Sequence, residues 1–316
     1  PDGPAGFTNF MEVGAATVYD TCFYASECVI GSTWNKDLAY DMGVMVGIEG
    51  QIGNAKGDGR PYSGWYAPAA NIHRSAFGGR NGEYFSEDPF ISGAMAASEI
   101  KGAASKGVYC YIKHFAVNEQ ETNRDTNGLV TWVDEQTLRE IYLKPFQIIV
   151  EEGQTTAMMS SFNRIGTTWT GGSYNLITNV LRNEWGFKGV VITDYSVSNP
   201  YMPPDQMLRA GGDLYLSQSY LPSDPSALSA GMDSATQISL LRRAMKNVLY
   251  TVANSCAMNG IGEGVVYRYA MPMWMVWLII INVVLVAGAA VWGFFAIRKG
   301  LKKSKQPQTP EGNVTQ

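Results

Sequence analysis

The chain has 316 residues, 46% hydrophobic and 16% charged, which is enough apolar content for one large α/β domain or two ordinary ones and excludes global disorder. A net charge of −4 offers no basic face, so nucleic acid is excluded as a partner. Four cysteines without a CxxC pair and only two histidines argue against a zinc site, and no metal or other cofactor is expected.

The charge is unevenly spread. Beyond Ile297, five cations (Arg298, Lys299, Lys302, Lys303 and Lys305) face only Glu311, a tail of +4, so residues 1–297 carry −8. Cys22 and Cys28 could bridge in an exported protein, but free buried thiols are the expected state.

Taken in chain order, apolar runs alternate with helical patterns. Asn35 is placed to cap a helix starting at Lys36. Residues 65–72 read as a strand. Asp88 followed by Pro89 opens a helix toward Gly107. Residues 108–114 are a second strand. Asp134 caps a helix with Leu138, Ile141, Tyr142, Phe146 and Ile149 along one face, and Pro145 should kink it. A third strand spans 156–162 and a helix 174–186. Residues 189–194 are apolar on both faces, as a central parallel strand should be. A last strand at 212–216 and a helix at 233–254 complete the run.

This alternation predicts a parallel sheet, open or closed into a barrel. Five strands fall short of the eight a (β/α)8 barrel needs. Because the chain opens on Pro1, the expectation is an α/β, TIM-like barrel over residues 1–260 that lacks its N-terminal part. Such an open barrel, with an unpaired edge, should not be stable alone.

Residues 261–272 read as a linker. Met273–Ile297 then runs 25 residues without a formal charge, and about 20 suffice to cross a bilayer core. Trp274 and Trp277 sit at one end, and Trp292, Phe294 and Phe295 near the other, as interfacial aromatics do. The basic cluster follows at once. The positive-inside rule then makes 273–297 a single-pass transmembrane helix in the cell membrane, puts the tail 298–316 in the cytoplasm and residues 1–272 outside. On that orientation the acceptor pattern Asn313-Val314-Thr315 is coincidental.

In a barrel, active residues gather where strands end. Arg80 lies in the loop after 65–72, Lys113 and His114 close 108–114, Phe162-Asn163-Arg164 closes 156–162, and Asp194 closes 189–194. Each has a plainer reading. A strand-end aspartate often caps the next helix. Glu87 and Asp88 suit a helix start, and Glu119, Glu121 and Arg124 an ordinary ion-pair network. Together they offer one carboxylate among cations, with Arg80 and Lys113 expected to keep Asp194 ionised. Glycosyl transfer by attack on an anomeric carbon is one of several chemistries open to that set.

The motifs narrow the choice. Asp2-Gly3-Pro4, the run Gly79 to Pro89 (GRNGEYFSEDP), the run Lys113 to Arg124 (KHFAVNEQETNR) and Val191-Ile-Thr-Asp194-Tyr195 resemble, in order, segments of glycoside hydrolase family 3, the β-glucosidase type, over roughly residues 1–260. The resemblance implies a retaining exo-acting β-glycosidase that hydrolyses terminal β-linked sugars of an oligosaccharide or glycoside. It implies Asp194 as nucleophile, with Asp2, Arg80, Lys113 and His114 holding the sugar hydroxyls and Met159 and Tyr195 lining the pocket. The KHF run is not followed by PGHG, which disfavours the N-acetylglucosaminidase branch. Phe162 stands where the family usually has Tyr, and Tyr195 where it commonly has Trp.

The family's acid/base comes from an α/β-sandwich domain, so a reversed-order member with that domain upstream and a C-terminal anchor is expected. Two other readings stay open: a non-catalytic membrane-anchored sugar-binding protein, and a β-xylosidase or phosphorylase of the same family.

Overall fold

A computed structural model of the chain describes residues 3–7, 21–55, 62–125, 129–196, 201–216, 234–257 and 271–303. The expected alternation is there. The strands are β1 (Gly64–Trp65), β2 (Tyr109–Phe115), β3 (Val130–Thr131), β4 (Ala157–Ser160), β5 (Arg164–Ile165), β6 (Thr168–Trp169) and β7 (Val190–Ile192). β1, β2, β4 and β7 form one sheet in that order, with every pair parallel. Tyr111 sits opposite Ala157, and Met159 opposite Ile192.

Helices fill the crossovers. α1 (Glu27–Ser32) and α2 (Lys36–Ala55) precede β1, and α3 (Pro89–Ala104) joins β1 to β2. Between β2 and β4 runs a segmented helix, α4 (Glu135–Thr137) and α5 (Lys144–Ile148), interleaved with π-helical stretches Leu138–Tyr142 and Ile149–Gly153. A π-helical stretch, Asn175–Glu184, joins β4 to β7. α6 (Pro204–Ala210) and α7 (Ala235–Ala253) follow.

The caps are where the sequence puts them. Asn35 accepts from the Asp37 and Leu38 amides (3.0 and 3.2 Å), Asp88 from Phe90 and Ile91 (2.8 Å each), and Asp134 from Thr137 (2.9 Å). The break expected at Pro145 takes a specific form. Proline has no N–H to give the preceding turn, and the helix widens just before it, with the Leu143 amide bonding Leu138 (2.8 Å).

Both faces of the sheet are apolar, as a parallel sheet requires. Cys110, Ile112, Met158 and Val191 point to the helices, in a core with Met95, Ile100, Phe146 and Ile149. Tyr111, Ala157, Met159, Val190 and Ile192 form a second cluster on the opposite face, with Leu214 and Val248 against it. Two close approaches need glycine. α2 and α3 touch backbone to backbone, so a Cβ at Gly43 would strike the Glu99 carbonyl and one at Gly102 the Tyr40 carbonyl. At the foot of β7, Gly189 has φ 136° and a Cβ there would collide with the Thr156 carbonyl of the neighbouring strand.

Some expected elements are shorter or new. The strand expected at 65–72 is regular only at its start. Beyond Pro68, which has no N–H for a ladder, Ala69 makes isolated bridges to Tyr84 and Lys113. The strand expected at 212–216 reduces to one parallel bridge, Leu214 to Ile192. A second sheet, β3-β5-β6, was not expected. None of the four cysteines forms a disulfide, and against the expectation of buried thiols Cys22 is exposed and Cys28 half-buried, while Cys110 and Cys256 are buried.

The chain divides into two compact units, residues 1–265 and 266–316. In the second, α8 (Met273–Lys303) is 31 residues long. Its stretch Met273–Lys299 holds an 18-residue window of mean hydropathy 2.4, with none of that window buried, and is long and apolar enough to cross a membrane. Its polar Asn282 donates to the Leu278 carbonyl of the same helix (2.8 Å). Most of the expected linker (261–272) and of the basic tail (298–316) lies outside the described residues.

Candidate active site

β2 and β7 deliver their polar ends to one edge of the sheet. Asp194 follows β7 and is 8% exposed. Its Oδ1 accepts the Tyr195 amide (2.7 Å). Its Oδ2 has no hydrogen-bond partner among the described residues, but lies 3.8 Å from both His114 Nε2 and an Arg124 nitrogen. One oxygen is thus anchored by the backbone and the other stands free among cations and an imidazole.

Lys113 and His114 end β2 and are both buried. The loop after β1 brings Arg80 across to them. One guanidinium nitrogen donates to His114 Nε2 (2.8 Å). Because a guanidinium cannot accept, Nε2 is the acceptor of this bond. Burial first, then Arg80, Lys113 and Arg124, holds the imidazole well below its ordinary pKa, so His114 is neutral. Glu83 bridges the cations, bonding Arg80 Nε and lying 3.8 Å from Lys113 Nζ.

Arg124 closes the ring. It pairs with Glu121 (3.1 Å) and donates to Asn118 (3.1 Å). It also lies over the Phe162 ring, 4.4 Å from the centroid. The Glu121–Arg124 ion pair is therefore part of the site rather than a separate surface network. Arg80 and Lys113 both favour the ionised form of Asp194, as expected. Burial outweighs the charges and pushes the carboxyl above its ordinary range, and the strongest opposing cation is Arg124, ahead of Arg80 and Lys113.

The structure thus brings together Asp194, Arg80, Lys113 and His114. Tyr195 contributes its backbone amide, with its ring half-buried beside the carboxyl. Met159 lies one pleat back, level with Ile192 and inside the apolar cluster with Tyr111 and Val190. Asp2 lies outside the described residues. Its neighbours Gly3 and Pro4, with Phe23, Arg80, Glu83 and Lys113, line a cavity of about 580 Å³. Sequence reasoning singled out neither Glu83 nor Arg124 as site residues, although both stand inside the motifs read there.

A parallel α/β sheet carrying an enclosed carboxylate and a ring of cations at the exit of its strands places its polar groups where enzymes built on such sheets place their sites. Residues 8–249 match the family description "Glycosyl hydrolase family 3 N terminal domain". The chain belongs to that family, among its β-glucosidase-type members. It is 41% identical over 194 residues to β-glucosidase A of Butyrivibrio fibrisolvens, covering 61% of this chain and 22% of that protein. It is 35% identical over 266 residues to a β-glucosidase of Ruminococcus albus, covering 81% and 26%. Among solved structures it resembles β-glucosidase 3B from Thermotoga neapolitana in complex with glucose, with a TM-score of 0.70, 34% identity, and coverage of 81% of this chain and 35% of that one. The chain therefore spans about a quarter of the curated relatives it matches.

Proposed function

We propose that the chain is the barrel part of a retaining, exo-acting β-glycosidase of β-glucosidase type. The observation that carries this is the asymmetry of Asp194, whose Oδ1 is held by a backbone amide while Oδ2 accepts no hydrogen bond among the described residues. Oδ2 would attack the anomeric carbon, forming a glycosyl ester as the bond to the leaving oxygen breaks. Arg80 and Lys113, with Asp2, would hold the hydroxyls of a terminal sugar in the adjoining cavity. His114, kept neutral, would pack its ring at the same edge.

The leaving oxygen needs a proton, and water must later lose one to the same group. We assign that acid/base to a residue outside these 316. Glu83 and Glu121, the carboxylates nearest the site's cations, are each committed to an arginine. We further read α8 as a single-pass membrane anchor, with its basic end in the cytoplasm and the site outside. The apolar length and the exposed aromatic rings at both ends support that reading. Resistance to alkaline extraction from membranes checks it; release into the soluble fraction would refute it.

Phe162 and Tyr195 favour a second reading, a sugar-binding protein without turnover. The family's tyrosine hydroxyl is missing beside the nucleophile, and Arg124 lies over the Phe162 ring instead. Incubating the full-length protein with a 2-deoxy-2-fluoroglucosyl inactivator decides between them. A label on the peptide holding Asp194 establishes the enzyme. Glucose binding without labelling selects the binding protein.

A further inference from the structure

Behind His114 stands a second layer that the reaction does not use directly. Asn71 is fully buried and grips both backbone polar groups of His114. Its Oδ1 accepts the His114 amide (2.8 Å), and its Nδ2 donates to the His114 carbonyl (3.2 Å). The remaining capacity of Nδ2 goes to Glu119 Oε1 (3.2 Å). One amide therefore joins a carboxylate to the strand end that carries the imidazole. His114 in turn meets Arg80 at 2.8 Å and Asp194 at 3.8 Å.

Glu119 is buried, but it lines a cavity of about 340 Å³ with Arg74, Gln120, Trp132, Asp134 and Tyr142. Trp132 is 82% exposed, so water reaches this cavity and Glu119 can exchange a proton. Arg74, from the segment after β1, is the cation that faces it, and it reaches Gln120 at 3.5 Å. The hydroxyls of Tyr84 and Tyr142 feel its charge. Asp134 on the far wall is committed to capping α4. Burial raises the Glu119 carboxyl to about 7, against the Asn71 amide, the Ile72 and Glu119 backbone amides and Arg74.

We propose that Glu119 is a positioning residue that acts through Asn71 to fix His114 against Arg80 and Asp194. Its consequence for turnover rests on the glycosidase reading above; the coupling itself does not. As a carboxylate, Glu119 accepts strongly from Nδ2 and keeps Oδ1 turned to the His114 amide. When protonated it accepts weakly, and the clamp loosens. The change takes place inside the range where an ordinary glutamate stays ionised, and competence rises with pH through about 7.

The test uses the full chain labelled with nitrogen-15 histidine. A His114→Gln variant identifies the His114 backbone amide as the signal that it removes. The His114 amide should titrate with a midpoint near 7, and Glu119→Gln should flatten it. Asn71→Ala should flatten it too, with Glu119 still present. A flat wild-type signal, or a titration that survives Glu119→Gln, overturns the proposal. In turnover, Glu119→Gln should lower kcat/KM about tenfold at pH 8 and leave pH 6 unchanged, as loss of one charged hydrogen bond predicts. A coupled amide in a protein that hydrolyses no glycoside would sink the glycosidase reading and leave this inference standing.

Discussion

Two groups of buried carboxyls in this molecule are treated in opposite ways. Asp194 stands among Arg124, Arg80, Lys113 and a neutral imidazole. Glu27 on α1 and Glu99 on α3 are completely enclosed, and their four oxygens accept no hydrogen bond from another residue among those described. Burial raises all three. For Glu27 the next largest influence is the neighbouring Glu99, and Lys113 opposes it less than Glu99 pushes. For Glu99 burial is the cause. Desolvation alone thus favours a neutral acid, whereas desolvation set against cations leaves one that can still ionise.

The sharpest way to break this comparison is to remove the carboxylate that has company. Asp194→Asn should cut kcat on an aryl β-glucoside by about 10³-fold or more while leaving thermal unfolding nearly unchanged. A variant that keeps most of its activity would take the nucleophile away from Asp194. The opposite change should help the lonely pair. Glu99→Leu replaces an unsatisfied buried acid and should stabilise the protein by about 1–3 kcal/mol in denaturant unfolding.

The pH dependence follows from the sign of those shifts. Glu27 and Glu99 hold protons in the folded state that an unfolded chain releases above about 4.3. Their contribution to stability is whole below that pH and drains as pH rises toward their folded values. Unfolding midpoints measured from pH 5 to pH 8 should fall in the wild type and fall less steeply in a Glu27→Gln, Glu99→Gln double variant, where Glu119 and Asp194 still contribute.

A smaller effect sharpens the other side. Arg124→Ala removes the cation that most opposes burial at Asp194, so the carboxyl rises further. The acid limb of kcat/KM should move to higher pH, with about a tenfold loss near pH 6 and less above it. Arg124→Lys should recover part of that. An unmoved limb would mean that Arg124 serves Phe162 and Glu121 alone.

Much of this was legible from the chain. Asn35, Asp88 and Asp134 cap as their spacing predicted, and the apolar runs at 108–114, 156–162 and 189–194 became β2, β4 and β7. Asp194, Arg80, Lys113 and His114 meet because all four sit at strand exits on one edge. What stayed hidden has physical reasons. β3, β5 and β6 are two residues each, too short for any periodicity to register. Arg124 reaches Asp194 across a loop fold that no sequence spacing encodes. Glu83 stands among other acidic residues of the run Gly79 to Pro89 with nothing in the sequence to single it out, and only the fold shows that it ties Arg80 to Lys113. The balance between burial and charge at Asp194 could be read only once its enclosure was known.

Gly189 carries a consequence for how the site tolerates change. It lies five residues before Asp194, at the opposite end of β7, and packs against the carbonyl of Thr156 where no side chain fits. β7 is short and hydrogen-bonded along β4, so it behaves as a stiff lever with its foot at Gly189 and its tip at the carboxyl. A single methyl at the foot would shift the tip on the order of 1 Å, a misplacement that can cost about a hundredfold in rate. The position of the Asp194 carboxyl is therefore set at the far side of the sheet, by an atom that glycine does not have.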